Sequence, residues 1–248
     1  MWPRIGSLPT YGVLYFLGTV AHFFVSRSTA RRLGLRRRVW IAVSVCYFLG
    51  MFFGAKLLYD IRHGQADLAA LFRKSHWDAG GLWGGLPAYF VLAGPPALLL
   101  SRRRRSALDL VALSTPVPWM FAKLACFTNG CCYGRACSLP WAVTYPEAAR
   151  NAPAGVPLHP TQIYEMAVMI AMLAIFAALR RGRWRGTMLL WFVGVYGLAR
   201  AGTDLLRGDA DRYLHVGPVT LTQLICLAAA TAALLLLIPC RPRQAADT

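Results

Sequence analysis

Seven apolar stretches of about 20 residues recur along this chain, and clusters of arginine fill every second gap between them. The stretches run Leu8–Val25, Val39–Tyr59, Gly80–Leu100, Leu108–Ala125, Thr161–Leu179, Thr187–Leu205 and Val219–Ile238. A helix rising about 1.5 Å per residue needs about 20 apolar residues to cross a hydrocarbon layer. Only a helix or a closed barrel satisfies its backbone there, and these windows are twice the length of a barrel strand. With 57% hydrophobic and 15% charged residues, the chain is too apolar for an ordinary soluble domain. The expected fold is all-α: a polytopic membrane helical bundle of about seven transmembrane helices, one integral membrane domain over residues 1–248.

The charges orient it. Six arginines lie between Arg27 and Arg38, four in Arg102–Arg105, four between Arg180 and Arg185, and Arg241 and Arg243 follow the last window. Cytoplasmic loops collect positive charge, so these segments belong inside, and an odd number of spans puts the N-terminus outside and the C-terminus in the cytoplasm. A net charge of +17 read alone would suit a nucleic-acid binder. Its confinement to alternate gaps argues for an inner-membrane, multi-pass protein and no nucleic-acid partner. The first window is read as a retained helix, because its arginines follow it, whereas a signal peptide carries them in front.

Between the spans, the outer segment from Cys126 to Pro160 is rich in Cys, Gly and Pro and cannot be one regular helix. The other long outer segment, Tyr59 to Asp78, reads as a short amphipathic stretch. Ionisable residues inside spans cost about 2.5–3.5 kcal/mol each on insertion scales and usually face a cavity or a partner. Here Lys56, Lys123, Arg200 and Asp204 all fall near outer helix ends, and Tyr196, Arg200 and Asp204 share one helical face. They are expected to converge as a cationic pocket for an anionic phospholipid headgroup, although snorkelling alone would explain Lys56. His22 and the tryptophans Trp83, Trp119, Trp141 and Trp191 read as packing or interface residues.

Three motifs carry more specific information. The first is Lys123-Leu124-Ala125-Cys126-Phe127-Thr128-Asn129-Gly130-Cys131-Cys132-Tyr133-Gly134-Arg135, the second His159-Pro160-Thr161-Gln162-Ile163-Tyr164-Glu165, and the third Tyr196-Gly197-Leu198-Ala199-Arg200 with Asp204. Together with Tyr11-Gly12 and Gly80-Gly81-Leu82, they resemble the prolipoprotein diacylglyceryl transferase family in order, span count and outward location. The resemblance implies phosphatidylglycerol as donor, the lipobox cysteine of a preprolipoprotein signal peptide as acceptor, a thioether product and released glycerol phosphate. It implies no cofactor and no metal. By the same resemblance Lys123, Asn129, Gly134, Tyr11, Lys56, Gln162, Tyr164 and Glu165 bind substrate, Arg200, Tyr196 and Asp204 are catalytic, and a histidine takes the thiol proton.

The sequence departs from the family pattern in ways that bear on the chemistry. The family histidine ahead of Gly-Gly-Leu is Ala79 here, leaving His159 or His76 as the base. Two family arginines are Lys56 and Lys123, which keep charge but lose the planar fork that grips phosphate. The family's second motif asparagine is Cys126 and its acid is Cys131, so Cys126, Cys131, Cys132 and Cys137 crowd one loop. One or two disulfides would staple such a loop on the oxidising side of the membrane, and a reactive thiol or metal site is the other reading. Cys46, Cys226 and Cys240 read as buried or incidental. A relative with a different acceptor, and a lipid-binding or transport protein that catalyses nothing, stay open beside the transferase.

Overall fold

The computed structural model describes residues 4–5, 8–57, 82–147, 149, 151–179, 184–209 and 214–238. His76, Ala79 and the whole expected amphipathic stretch from Tyr59 to Asp78 lie outside the described residues. Helix dominates: α1 Thr10–Arg32, α2 Arg37–Leu49 running into a π-helical turn at Gly50–Gly54, α3 Leu82–Leu99, α4 Arg104–Leu113, α5 Pro116–Asn129, α6 Thr161–Leu179, α7 Met188–Leu205 and α8 Leu221–Leu237. Three short antiparallel ribbons join them: β1 Arg4–Ile5 with β2 Leu8–Pro9, β3 Val143–Thr144 with β4 Pro157–Leu158, and β5 His215–Val216 with β6 Val219–Thr220.

Every apolar window of the sequence therefore contains helix, the fourth being shared by α4 and α5. Among the described residues three stretches, Arg37–Leu57, Arg104–Asn129 and Thr161–Leu179, are long and apolar enough to cross a membrane, and Gly85–Leu99 and Leu221–Leu237 are shorter apolar helices. Phe16, Phe24, Val91, Leu99, Ile170, Leu235 and Leu236 are each more than half exposed, an outer surface that suits lipid rather than water. The arginines of Arg36–Arg38 and Arg102–Arg105 are exposed as well, as solvated loop charges should be.

The described residues form two compact units, His22–Ser114 on the one hand and Met1–Ala21 with Thr115–Thr248 on the other. In the first, α3 packs on α2 and the π-helical turn. Val43, Tyr47, Met51, Tyr89 and Leu110 fill its core. The His22 ring stacks on Tyr47 at 3.9 Å and meets the edge of Tyr89 at 5.7 Å, with its Nδ1 3.3 Å from the Ser114 carbonyl. Lys56 is buried in this unit, just beyond the π-helical turn. Gly50 fixes how closely the helices approach, since a Cβ there would lie 2.5 Å from the Tyr89 backbone. Gly50→Ala must push two backbones apart, so it is expected to cost about 1–3 kcal/mol. A lowered melting temperature in detergent reads this out, and an unchanged one would refute the close packing.

In the second unit, α7 lies along α8 and α5 along α6. Small residues permit the approach: a Cβ on Gly197 of α7 would sit 2.8 Å from the Cys226 carbonyl of α8, and one on Gly18 of α1 would sit 2.9 Å from Phe121 Cβ of α5. Helix α8 opens with a capping box in which the Thr220 hydroxyl accepts from the Gln223 N–H and the Gln223 side chain accepts from the Thr220 N–H.

Candidate active site

Helix α5 begins with Pro116 in its first turn, where the missing N–H costs nothing, and ends at Gly130. Gly130 takes a left-handed conformation with φ 69°, and the chain folds back so that the Cys131 N–H donates to the Cys126 carbonyl at 3.1 Å. The following residues run between two other segments. The Gly134 N–H donates to His159 O, the His159 N–H to Arg135 O, the Arg135 N–H to Leu206 O and the Gly208 N–H to Tyr133 O. A Cβ on Gly134 would fall 2.7 Å from the His159 carbonyl and 2.8 Å from that of Leu206, so only glycine fits where three backbones meet. This clamp ties the first motif to the second and to the end of α7.

One turn back from Cys126 on α5, Lys123 points into the bundle. Its Nζ lies 2.8 Å from Glu165 Oε1 of α6 and over the Trp119 ring. The other Glu165 oxygen accepts from the Tyr196 hydroxyl of α7 at 3.1 Å, and Arg200 Nε lies 4.0 Å from Oε1. Arg200 Nη1 pairs with Asp204 Oδ1 at 2.9 Å, and the Thr220 hydroxyl donates to Asp204 Oδ2 at 2.5 Å. Lys123, Glu165, Arg200 and Asp204 are at most 4% exposed. Three helices and the N-cap of α8 thus contribute to one dry network of two cations and two carboxylates. A buried cation without a counter-ion is costly, which is why both cations carry one here. The expectation that Lys123 and Arg200 gather is met. What corrects the picture is that they face Glu165 and Asp204 rather than standing as bare charge.

The second motif holds the outer loop. Gln162 Nε2 donates to the Cys131 carbonyl at 2.7 Å and to the Tyr145 hydroxyl at 3.0 Å, and the Thr161 hydroxyl donates to the Cys132 carbonyl. The Tyr164 hydroxyl accepts from Trp141 Nε1 at 2.8 Å and lies 3.1 Å from His159 Nδ1. Gln162 is therefore placed as a loop anchor, whereas His159 and Tyr164 form a pair of their own at the helix start. Asn129, the last residue of α5, is half-buried and hydrogen-bonded to Cys131, and Tyr11, in the first turn of α1, lies close enough to the loop thiols to feel their charge.

The disulfide staple is absent from the structure, where the four loop cysteines are free. Instead the sulfurs of Cys126, Cys131 and Cys132 lie within 4.8 Å of one another, with 3.9 Å between Cys126 and Cys132. Hydrogen bonds from Cys126 and then Cys131, aided by the charges of Arg207 and Lys123, hold the Cys132 thiol well below its ordinary range despite burial. For Cys131 the hydrogen bond from Cys126 pulls down, but Cys132 and burial prevail and push it up to about 12.

Two contributors were not picked out from the sequence. Thr220 completes the shell of Asp204, and the Thr-Leu-Thr-Gln start of α8 carries the capping-box signature that would have flagged it. Arg207 is buried and forms two bonds to Asp209, at 2.7 and 2.5 Å. No local pattern announces that pair, because its burial comes from the clamp around Gly134.

Comparison with known proteins adds an independent line. Residues 4–239 match the family model described as prolipoprotein diacylglyceryl transferase. The chain belongs to the prolipoprotein diacylglyceryl transferase family. Curated relatives named phosphatidylglycerol–prolipoprotein diacylglyceryl transferase include one from Geobacter sulfurreducens, 30% identical over 237 residues covering 90% of this chain and 87% of its own. One from Clostridium tetani is 28% identical over 80% of each chain, and one from Shewanella sp. strain ANA-3 is 27% identical over 88% of this chain and 83% of its own. The segments on which the resemblance was drawn are the ones that build the buried network and the clamp. An enzyme family of transferases, rather than a carrier or a structural protein, is therefore the setting in which the site is to be understood.

Proposed function

We propose that this chain moves the diacylglyceryl group of phosphatidylglycerol onto the lipobox cysteine of a preprolipoprotein signal peptide. It does so as one integral domain of seven spans in the inner membrane, N-terminus outside and C-terminus cytoplasmic. The observation that supports this most is the meeting of Lys123 and Arg200 on a single carboxylate, Glu165, deep among apolar helices. Two cations so close form a receptor for one phosphate, and Glu165 and Asp204 neutralise them until the donor arrives.

The reaction then follows from charge. The acceptor sulfur attacks the glyceryl carbon that carries the phosphate ester, an S–C bond forms, the C–O bond breaks, and glycerol phosphate leaves. Negative charge grows on the departing phosphate in the transition state, where fixed cations stabilise it most in a dry site. Arg200 and Lys123 supply that charge, with Asn129, Gly134 and Tyr11 as further donor contacts and Gln162, Tyr164 and Glu165 shaping the pocket. Asp204 orients Arg200, and the Tyr196 hydroxyl holds the Glu165 carboxylate that faces it. The acceptor thiol, with a free pKa of about 8.5, must lose its proton to a base. His159, steadied by the Tyr164 hydroxyl, is the base we favour, with His76 as the alternative.

Purified protein given labelled phosphatidylglycerol and a lipobox peptide is expected to release glycerol phosphate and form one thioether per turnover. Donor binding without either product would remove the transferase reading and leave a lipid-binding or transport protein. A second reading rests on a specific observation: Ala79 replaces the family histidine and three thiols cluster beside Lys123, which suits a relative with another acceptor. Rescue of cells depleted of their own transferase excludes it.

A further inference from the structure

The Cys126, Cys131 and Cys132 cluster has no role in the reaction above, yet it is built with care. Three sulfurs come from a C-x4-C-C segment, an arrangement that without its turn would scatter them. Gly130 reverses the chain at φ 69°, and Cys132 follows at φ 63°, the only non-glycine residue with positive φ among the described residues. Such a conformation is unfavourable for a β-carbon-bearing residue and persists where the surroundings impose it. Here the Cys132 carbonyl is fixed by the Thr161 hydroxyl and that of Cys131 by Gln162, so the second motif holds the cysteines in place from outside the cluster.

The resulting spacing has a chemical meaning. A zinc ion with Zn–S bonds of about 2.3 Å holds its sulfurs about 3.8 Å apart in a tetrahedron. The 3.9 Å between Cys126 and Cys132 fits this, and the remaining separations, all within 4.8 Å, close with small side-chain rotations. A disulfide would need its two sulfurs about 2.05 Å apart. Thiolate sulfur selects soft d10 ions, zinc(II) or copper(I), over hard cations such as magnesium. The charges of Lys123 and Arg207 both reach Cys132 and oppose the negative charge that three thiolates gather.

We propose that Cys126, Cys131 and Cys132 form a three-thiolate site for a thiophilic d10 metal ion at the outer end of α5. With three protein ligands, zinc keeps one coordination position for water or another sulfur, whereas copper(I) is complete with three. The site does not depend on the transferase reading, because metal binding is measured without turnover.

The test uses the full chain, purified under reducing, anaerobic conditions in detergent and equilibrated separately with zinc(II) and with copper(I). The expected result is one equivalent of one of these ions retained per chain after gel filtration, the ion itself deciding between them. Cys126→Ala and Cys132→Ala are expected to bind at least about 10-fold more weakly, and Cys137→Ser to bind like the parent. Cobalt(II) added to the parent chain gives a direct reading through its thiolate charge-transfer absorption, so the proposal does not hang on variants that fold poorly. The proposal is overturned if the folded chain retains neither ion, if Cys137→Ser loses metal as strongly as Cys132→Ala, or if protein taken from cells carries a disulfide within the trio.

Discussion

Arg200→Ala is expected to abolish rescue of cells depleted of their own diacylglyceryl transferase, and Arg200→Lys to retain only about one part in 10 to 150 of the parent transfer rate. The two variants fail for different reasons. Alanine leaves Asp204 and part of Glu165 without a counter-charge in a dry interior, and breaking a buried pair costs about 3–5 kcal/mol. Loss of rescue by that variant alone would not separate chemistry from folding. Lysine keeps the charge, but Arg200 now presents Nη1 to Asp204 at 2.9 Å and Nε towards Glu165 at 4.0 Å, and one ammonium cannot serve both. Losing one charge-assisted hydrogen bond of about 1.5–3 kcal/mol corresponds to roughly 10- to 150-fold. Because the phosphate charge grows only as the C–O bond breaks, the deficit should fall on kcat more than on KM. A folded Arg200→Lys protein that turns over at the parent rate would remove Arg200 from the chemistry.

How much of this was visible in the sequence depends on the range of each interaction. Tyr196, Arg200 and Asp204 sit at fixed helical spacing, so their common face follows from periodicity alone. That Lys123 and Glu165 join them requires α5, α6 and α7 to be packed, and only the order of the motifs hinted at it. The pairing of Lys123 with a carboxylate was not anticipated, since counting charges by span omits Glu165, which lies just inside the α6 window. The thiol trio was harder still. Cysteine spacing suggested a staple, whereas the outcome turns on two left-handed backbone positions, and a positive φ at Cys132 has no signature in a residue with a β-carbon. Conversely the helical, membrane-type character of the chain was fully legible, because apolar length and backbone satisfaction leave few alternatives.

Glu165→Gln tests the other half of the proposed exchange. The mutant keeps the shape and the hydrogen bond from Tyr196, but removes the charge that faces Lys123 at 2.8 Å and Arg200 at 4.0 Å. Two buried cations are then balanced by Asp204 alone, and the folded state should lose about 3–5 kcal/mol, seen as a lower melting temperature in a zwitterionic detergent. The same substitution removes the group that competes with phosphate for these cations. Phosphatidylglycerol should therefore raise the melting temperature of Glu165→Gln by more than it raises that of the parent, while phosphatidylcholine, which has no net charge, should not. Adding Lys123→Met cancels much of the lost charge balance, so the double variant should be more stable than the sum of the two single changes by about 0.5–3 kcal/mol. Strict additivity would show that Lys123 and Glu165 do not depend on one another. An equal lipid response in mutant and parent would show that the phosphate does not take the place of the Glu165 carboxylate, and the anion-exchange account of donor binding would fall with it.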